Sequence, residues 1–260
     1  MSEITQYKPG NFCWVELSTF DTNAAKKFYS ELFGISPYDM DMGNGSYYTM
    51  LNLRDKPVAA LYNMSPEQRE MHFASCWMPY INVTSVAETI AKVKQAGGLV
   101  LVDTTDAMDA GVFGMIQDTE GAMVGLWQPK NHAGSAFIGE HGTICWFEHN
   151  GHTTDKVIPF LENVFGWKAK TEKMGETNYT TFYQGEEMVC GFFVLPPEMK
   201  DVPPSWLTYF GVNNIDEACE KVIKLKGQII MPKIFIEGVG FYGVVRDDQG
   251  AVFGLLQGQM

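Results

Sequence analysis

The chain has 260 residues, 45% of them hydrophobic and 19% charged, with 31 acidic against 19 basic side chains and a formal net charge of -12. Such a composition supplies a sizeable core and excludes a low-complexity or disordered chain, while the acidic excess, with no cluster of Lys and Arg, repels phosphate backbones and excludes nucleic acid as a partner. No apolar run approaches the roughly 20 residues of a membrane span and the opening MSEITQYKPG lacks the regions of a signal peptide, so a cytoplasmic protein with no membrane partner is expected.

The first predicted element is a strand around Cys13–Trp14 that feeds an amphipathic helix. Asp21 or Thr22 can cap this helix, Ala25, Phe28, Tyr29, Leu32 and Phe33 form its apolar face, and Gly34 stops it. Stretches rich in β-formers follow, YYTMLNL and VAALYNM. A second strand, CWMPYINV from Cys76 to Val83, leads to a helix with Val86, Ile90 and Val93 on one face before Gly97 and Gly98, then to VFGMIQD and AMVGLWQ. Each piece therefore reads as a βαβββ unit.

The chain then repeats itself. Cys145-Trp146 copies Cys13-Trp14 at an offset of 132, which also joins Phe28 to Phe160 and Gly34 to Gly166. Val157, Phe160, Leu161, Val164 and Phe165 form the copied helix face. Farther on the offset is 129, joining Trp77 to Trp206, Tyr80 to Tyr209, Asp118 to Asp247 and Gly121 to Gly250, and the last helix carries Ile215, Cys219 and Val222 before Gly227. Residues 8–129 and 142–260 are thus expected as two domains of two modules each, with 130–141 as a linker. The fold class is α+β, four βαβββ modules in two domains whose curled, partly open sheets surround clefts. Whether modules pair within each half or across halves is open at this point.

Residues Phe20 to Gly34, FDTNAAKKFYSELFG, with the D-x-x-G turns Asp118–Gly121 and Asp247–Gly250, resemble the signature of the vicinal oxygen chelate superfamily, the glyoxalase, bleomycin-resistance and extradiol-dioxygenase group. The likeness spans nearly the whole chain, and Pro9-Gly10 with Cys13-Trp14 is similar to tandem glyoxalase-like proteins in particular. The resemblance implies metal ligands at fixed places: a histidine on the first strand, a histidine or similar on the strand opening the second module, and a glutamate four residues after the last turn glycine. Those places hold Trp14, Met78 and Gly125 in one half and Trp146, Leu207 and Gly254 in the other. None can coordinate as His or Glu would, so no metal and no cofactor are expected.

What remains is an apolar cleft with a few polar groups. Alternation along the strands places Glu16 on the face of Trp14 and Glu148 on that of Trp146, and puts Met78, Tyr80 and Asn82, or Leu207 and Tyr209, on one face. Glu16 and Glu148 are the candidate catalytic residues: burial would raise their pKa and suit a general base, a substrate anchor or an altered metal ligand. The alternative is an inward glutamate tied to a neighbouring group. Trp14, Met78, Tyr80, Trp127, Trp146 and Tyr209 are the candidate substrate-binding residues, lining a site for stacking, against the alternative of plain core packing. Trp127 is replaced by Leu256 in its copy.

Other motifs carry less. Gly238–Gly243 matches G-x-G-x-x-G, but strand, turn and strand follow it instead of the helix a dinucleotide needs. His132, His141, His149 and His152 read as a surface cluster, and the five cysteines, without C-x-x-C spacing, as small buried hydrophobes. The reading is a glyoxalase/bleomycin-resistance-like protein that binds a small, partly apolar organic molecule, as a monomer with internal pseudo-symmetry or a homodimer. The rival readings are a lyase, isomerase or dioxygenase using Glu16 or Glu148, and an interaction protein that has abandoned its clefts.

Overall fold

The structure is a computed structural model and describes residues 2–43, 45–174 and 177–259. The first half runs β1 (Phe12–Thr19), α1 (Thr22–Phe33), β2 (Ser36–Gly43), β3 (Ser46–Leu53), β4 (Lys56–Asn63), a short α2 (Pro66–Glu70), β5 (Cys76–Asn82), α3 (Val86–Gln95), β6 (Leu99–Asp106), β7 (Gly111–Gln117) and β8 (Met123–Pro129). The second half repeats it as β9 (Ile144–Gly151), α4 (Thr154–Phe165), β10 (Lys168–Met174), β11 (Thr177–Gln184), β12 (Glu187–Val194), β13 (Ser205–Gly211), α5 (Ile215–Lys224), β14 (Gln228–Ile236), β15 (Gly240–Arg246) and β16 (Val252–Gly258). Apart from α2 and a 3-10 turn at Pro197–Met199, these are four βαβββ modules.

The modules pair within each half. One eight-stranded sheet has the order β2-β3-β4-β1-β5-β8-β7-β6 and the other β10-β11-β12-β9-β13-β16-β15-β14. The two modules of each half join where β1 meets β5, and β9 meets β13, as antiparallel neighbours. Each sheet curls into a cup.

Helix ends follow the sequence. Asp21 caps α1 by accepting from the N–H groups of Asn23 and Ala24, and Gly34 ends it at φ 70°, a left-handed conformation that glycine adopts without strain. Thr153 and Gly166 do the same for α4. The predicted apolar positions of α1 and α4 are all buried. In α5 the centre of the buried face is Ala218 with Ile215 and Val222, while Cys219, expected there, is only half-buried.

The helix-bearing faces of the two sheets pack on one another and share one core. Phe12 stacks on Phe147 with centroids 4.1 Å apart, and Phe33 meets Phe210 at 5.0 Å. The D-x-x-G turns reach across this interface. Asp118 accepts from the N–H groups of Glu120, Gly121 and Ala122 through Oδ1, and its Oδ2 lies 2.5 Å from Nε2 of the fully buried His149. Asp247 accepts from Gln249 and Ala251 through Oδ1, and through Oδ2 from the Tyr29 hydroxyl at 2.9 Å. The residues beside these aspartates cap the opposite half's helix: Glu120 accepts from the N–H groups of His152 and Thr153, and Gln249 accepts from that of Asp21.

The histidine cluster expected on the surface is therefore not one. His149 faces the core because strand alternation places it with Phe147, and His132 is packed into the first cup. The cysteines are all free, but only Cys13 and Cys190 are buried; Cys76, Cys145 and Cys219 are intermediate.

Candidate functional site

The inner floor of each cup is built where the two modules meet. In β1, Trp14 pairs with Tyr80 and Glu16 with Met78 of β5, and on the other side Glu16 pairs with Ala60 of β4. Tyr80 donates its hydroxyl to Oε1 of Glu16 at 2.5 Å. Tyr48, from β3, donates to Oε2 at 2.9 Å and accepts at 3.2 Å from the indole Nε1–H of Trp14. The second cup repeats this with Tyr179 to Glu148 at 2.8 Å, Tyr209 to Glu148 at 3.2 Å and Trp146 to Tyr179 at 3.2 Å. The predicted pairing of tryptophan and glutamate on one face is thus a Trp–Tyr–Glu–Tyr chain, and two of its phenols, Tyr48 and Tyr179, went unread. They come from a strand two places away in the sheet. Their recurrence at an offset of 131 was the available signal.

Both carboxyls are half-buried, and neither forms an ion pair among the described residues. Burial raises the pKa of Glu16 and Glu148, and the hydrogen bonds from Tyr80 and Tyr48, or Tyr179 and Tyr209, pull the other way without cancelling it. Burial first, then the adjacent carboxyl, drives all four phenols upward, so they stay protonated and act as donors.

Small residues make room for the rings. Tyr80 lies beside Gly125 in the parallel β5–β8 pair, and a Cβ on that glycine would stand 2.2 Å from the ring; at Gly254 it would stand 2.0 Å from Tyr209. These are the places where the resemblance implies a glutamate ligand. A tyrosine ring fills the space, Trp14 and Trp146 stand at the first ligand position with their N–H groups engaged, and Met78 and Leu207 hold the other. These residues do not fit the divalent ion of the family's metalloenzymes. No group of three or more His, Cys, Asp or Glu placed to hold a metal occurs among the described residues.

The other predicted residues reach the same floor. Met78, Tyr80 and Trp127 pack with Trp14, Ala60 and Cys13 in the first cup, and Leu207 and Tyr209 are buried in the second. Asn82 is instead a tie, donating to the Tyr7 carbonyl at 2.7 Å. Trp127 donates to the His132 carbonyl at 2.8 Å, and the His132 ring stands edge-on to Trp14 with centroids 4.4 Å apart. Burial lowers the His132 pKa to about 4, keeping it neutral. The segment expected as a linker is packed down here: Ser135 donates its N–H to the Cys13 carbonyl, Ala136 to that of Pro57, and Ile4 to that of Ala136.

Two shallow surface depressions lie outside both cups, one beside Glu31, Lys221 and Lys224, another beside Pro9, Lys92 and Gln184. Neither assembles a constellation of chemical groups.

These features define a class. The chain belongs to the Glyoxalase/Bleomycin resistance protein/Dioxygenase superfamily, whose pattern matches residues 12–126 and 146–255. Among its relatives is a protein of Mycobacterium tuberculosis named "Putative glyoxylase CFP32", 36% identical over 259 residues, which are 99% of this chain and 98% of that one. The anthracycline biosynthesis protein DnrV of Streptomyces peucetius is 24% identical over 239 residues, 87% of this chain and 86% of its own. In fold the chain is similar to the Mn(II)-bound glyoxalase of Novosphingobium aromaticivorans, with TM-score 0.67 and 14% identity over 96% of this chain and 82% of that one. It is similar also to the 2,3-dioxygenase LapB of Pseudomonas sp. KL28, with TM-score 0.65 and 11% identity over 100% and 94%.

Proposed function

We propose that the chain binds a small, partly apolar organic molecule on the Trp–Tyr–Glu–Tyr floor of its cups, without the divalent ion of the superfamily's metalloenzymes. The observation that carries this reading is the replacement itself: where a metal would be held, each half has an indole, two phenols and one half-buried carboxyl in a single hydrogen-bonded chain. Flat rings offer stacking surface, and the carboxyl offers an acceptor to a ligand hydroxyl or amine. The relatives' names, a glyoxylase and an anthracycline biosynthesis protein, both speak of small organic molecules. We place the protein in the cytoplasm, as a monomer whose helical faces are already covered by each other.

A second reading keeps the carboxyls as catalysts. Their pKa is raised by burial, which moves a carboxyl toward the range where it exchanges protons with a substrate near neutrality. The two are separated by titrating the protein with aromatic phenols and amines while following tryptophan fluorescence, and by assaying the same compounds for turnover. Binding that weakens in Trp14→Ala or Trp146→Ala, with no product formed, supports the first reading; turnover lost in Glu16→Gln or Glu148→Gln supports the second. One bound Ni, Zn, Fe(II) or Mn per chain, lost in either glutamine variant, would overturn the metal-free site.

A further inference from the structure

The two cups share a floor but not their walls. In the first, Met40 of β2 pairs with Tyr48 and Tyr38 with Met50, which sets both β2 side chains on the face that carries the Glu16 site. The register of the second half places Glu172 opposite Tyr179 and Lys170 opposite Thr181. The arm that is tyrosine and methionine in one cup is thus lysine and glutamate in the other, and there Lys170 and Glu172 pair at 3.0 Å. The same divergence recurs elsewhere: Met78, Met115 and Met123 of the first cup stand where Leu207, Val244 and Val252 stand in the second.

The ends differ as well. In the first half Ser135 is tied to Cys13 of β1, Ala136 to Pro57 of β4 and Ile4 to Ala136, with His132 set against Trp14 and Trp127. This leaves Trp14 4% exposed. In the second cup Trp146 is half-buried. Methionine is unbranched and polarisable, so it moulds to flat rings of differing shape. A cup walled by methionine and tyrosine, with a carboxyl at its floor that makes no ion pair among the described residues, favours a neutral aromatic carrying a donor and disfavours an anion.

Resting on the binding role above, we infer that the first cup is the ligand site, selective for uncharged flat aromatic molecules that carry a hydroxyl or amine hydrogen-bonded to Glu16. The second cup keeps the floor without the walls.

The test is an exchange of arms. Tyr38 and Met40 are 63% and 41% exposed, so Tyr38→Lys with Met40→Glu alters the wall and leaves the packed floor in place. The probes are 2-naphthol, 2-naphthylamine and 2-naphthoate, followed by calorimetry on the full chain, with thermal melts to verify folding. The expected result is one molecule of 2-naphthol or 2-naphthylamine per chain and at least tenfold weaker binding of 2-naphthoate. The arm exchange and Glu16→Gln should each weaken 2-naphthol about tenfold or more. Binding untouched by the arm exchange but lost in Trp146→Ala would overturn the assignment to the first cup while leaving the proposed binding function intact. Failure of all three probes to bind the parent chain would overturn both.

Discussion

Replacing Gly125 by alanine tests why the family's ligand position is empty of a side chain. Gly125 has no left-handed backbone to demand glycine, so its cost is steric: the new Cβ would stand 2.2, 2.3 and 2.6 Å from three carbons of the Tyr80 ring. Reaching ordinary contact at 3.4 Å requires the ring to move by about 1.2 Å. Tyr80 is 5% exposed and its hydroxyl is held by Glu16 at 2.5 Å, so the movement both strains a packed core and breaks a hydrogen bond to a carboxyl. Overpacking costs about 1–3 kcal/mol and the lost bond about 1.5–3 kcal/mol, or about 2.5–6 kcal/mol together. That is a large share of the roughly 5–15 kcal/mol typical of a folded domain. Urea denaturation followed by circular dichroism gives the stability of Gly125→Ala, Tyr80→Ala and the double variant. If the ring is what excludes a side chain, the alanine at 125 costs far less once the ring is gone, with a coupling of about 1–3 kcal/mol. Additive costs, or a single-variant cost under about 1 kcal/mol, would refute the steric account.

Asp118→Ala removes the acceptor for three backbone N–H groups and leaves Nε2 of buried His149 without its partner; a loss of about 3–5 kcal/mol is expected in the same denaturation assay. The glutamates predict a pH effect. Because their folded-state pKa is raised, their contribution to stability is complete below the ordinary glutamate value of about 4.3 and is lost as pH rises through the raised value. The double variant Glu16→Gln, Glu148→Gln should therefore show a flatter fall of Tm with rising pH than the parent, read by calorimetry. Of the six tryptophans only Trp146 is not buried, so Trp146→Phe should abolish most of the fluorescence quenched by acrylamide, while Trp14→Phe should not.

Much of the fold could be read from periodicity and repetition. The apolar faces of α1 and α4, their stops at Gly34 and Gly166, and the four-module order follow from local rules that packing reinforces. Strand alternation sufficed to put Glu16 beside Trp14 and Trp127 on the inner face. It could not show Tyr48 or Tyr179, because their reach to the carboxyls depends on sheet order and on a small residue beneath the phenol. Gly191 supplies that space for Tyr179, whose hydroxyl would lie 1.7 Å from a Cβ there. Sheet order also settled that modules pair within each half, which no local pattern encodes. The histidines depart from the surface expectation for two reasons. His149 is near the others in sequence but its strand parity points to the core, and His132 lies in a segment of small residues that suggest a passive connection yet pack tightly against Cys13 and Pro57.

The reciprocal capping, in which Glu120 holds the start of one half's helix and Gln249 that of the other, is the arrangement two identical chains would make about a twofold axis. In such a dimer every substitution appears twice, so both cups must change together. Joining the copies in one polypeptide keeps the interface, holds the partners at high effective concentration and lifts that requirement. One copy can then lose its methionine wall while the other retains it, and a single chain can own one specialised cup and one free to drift.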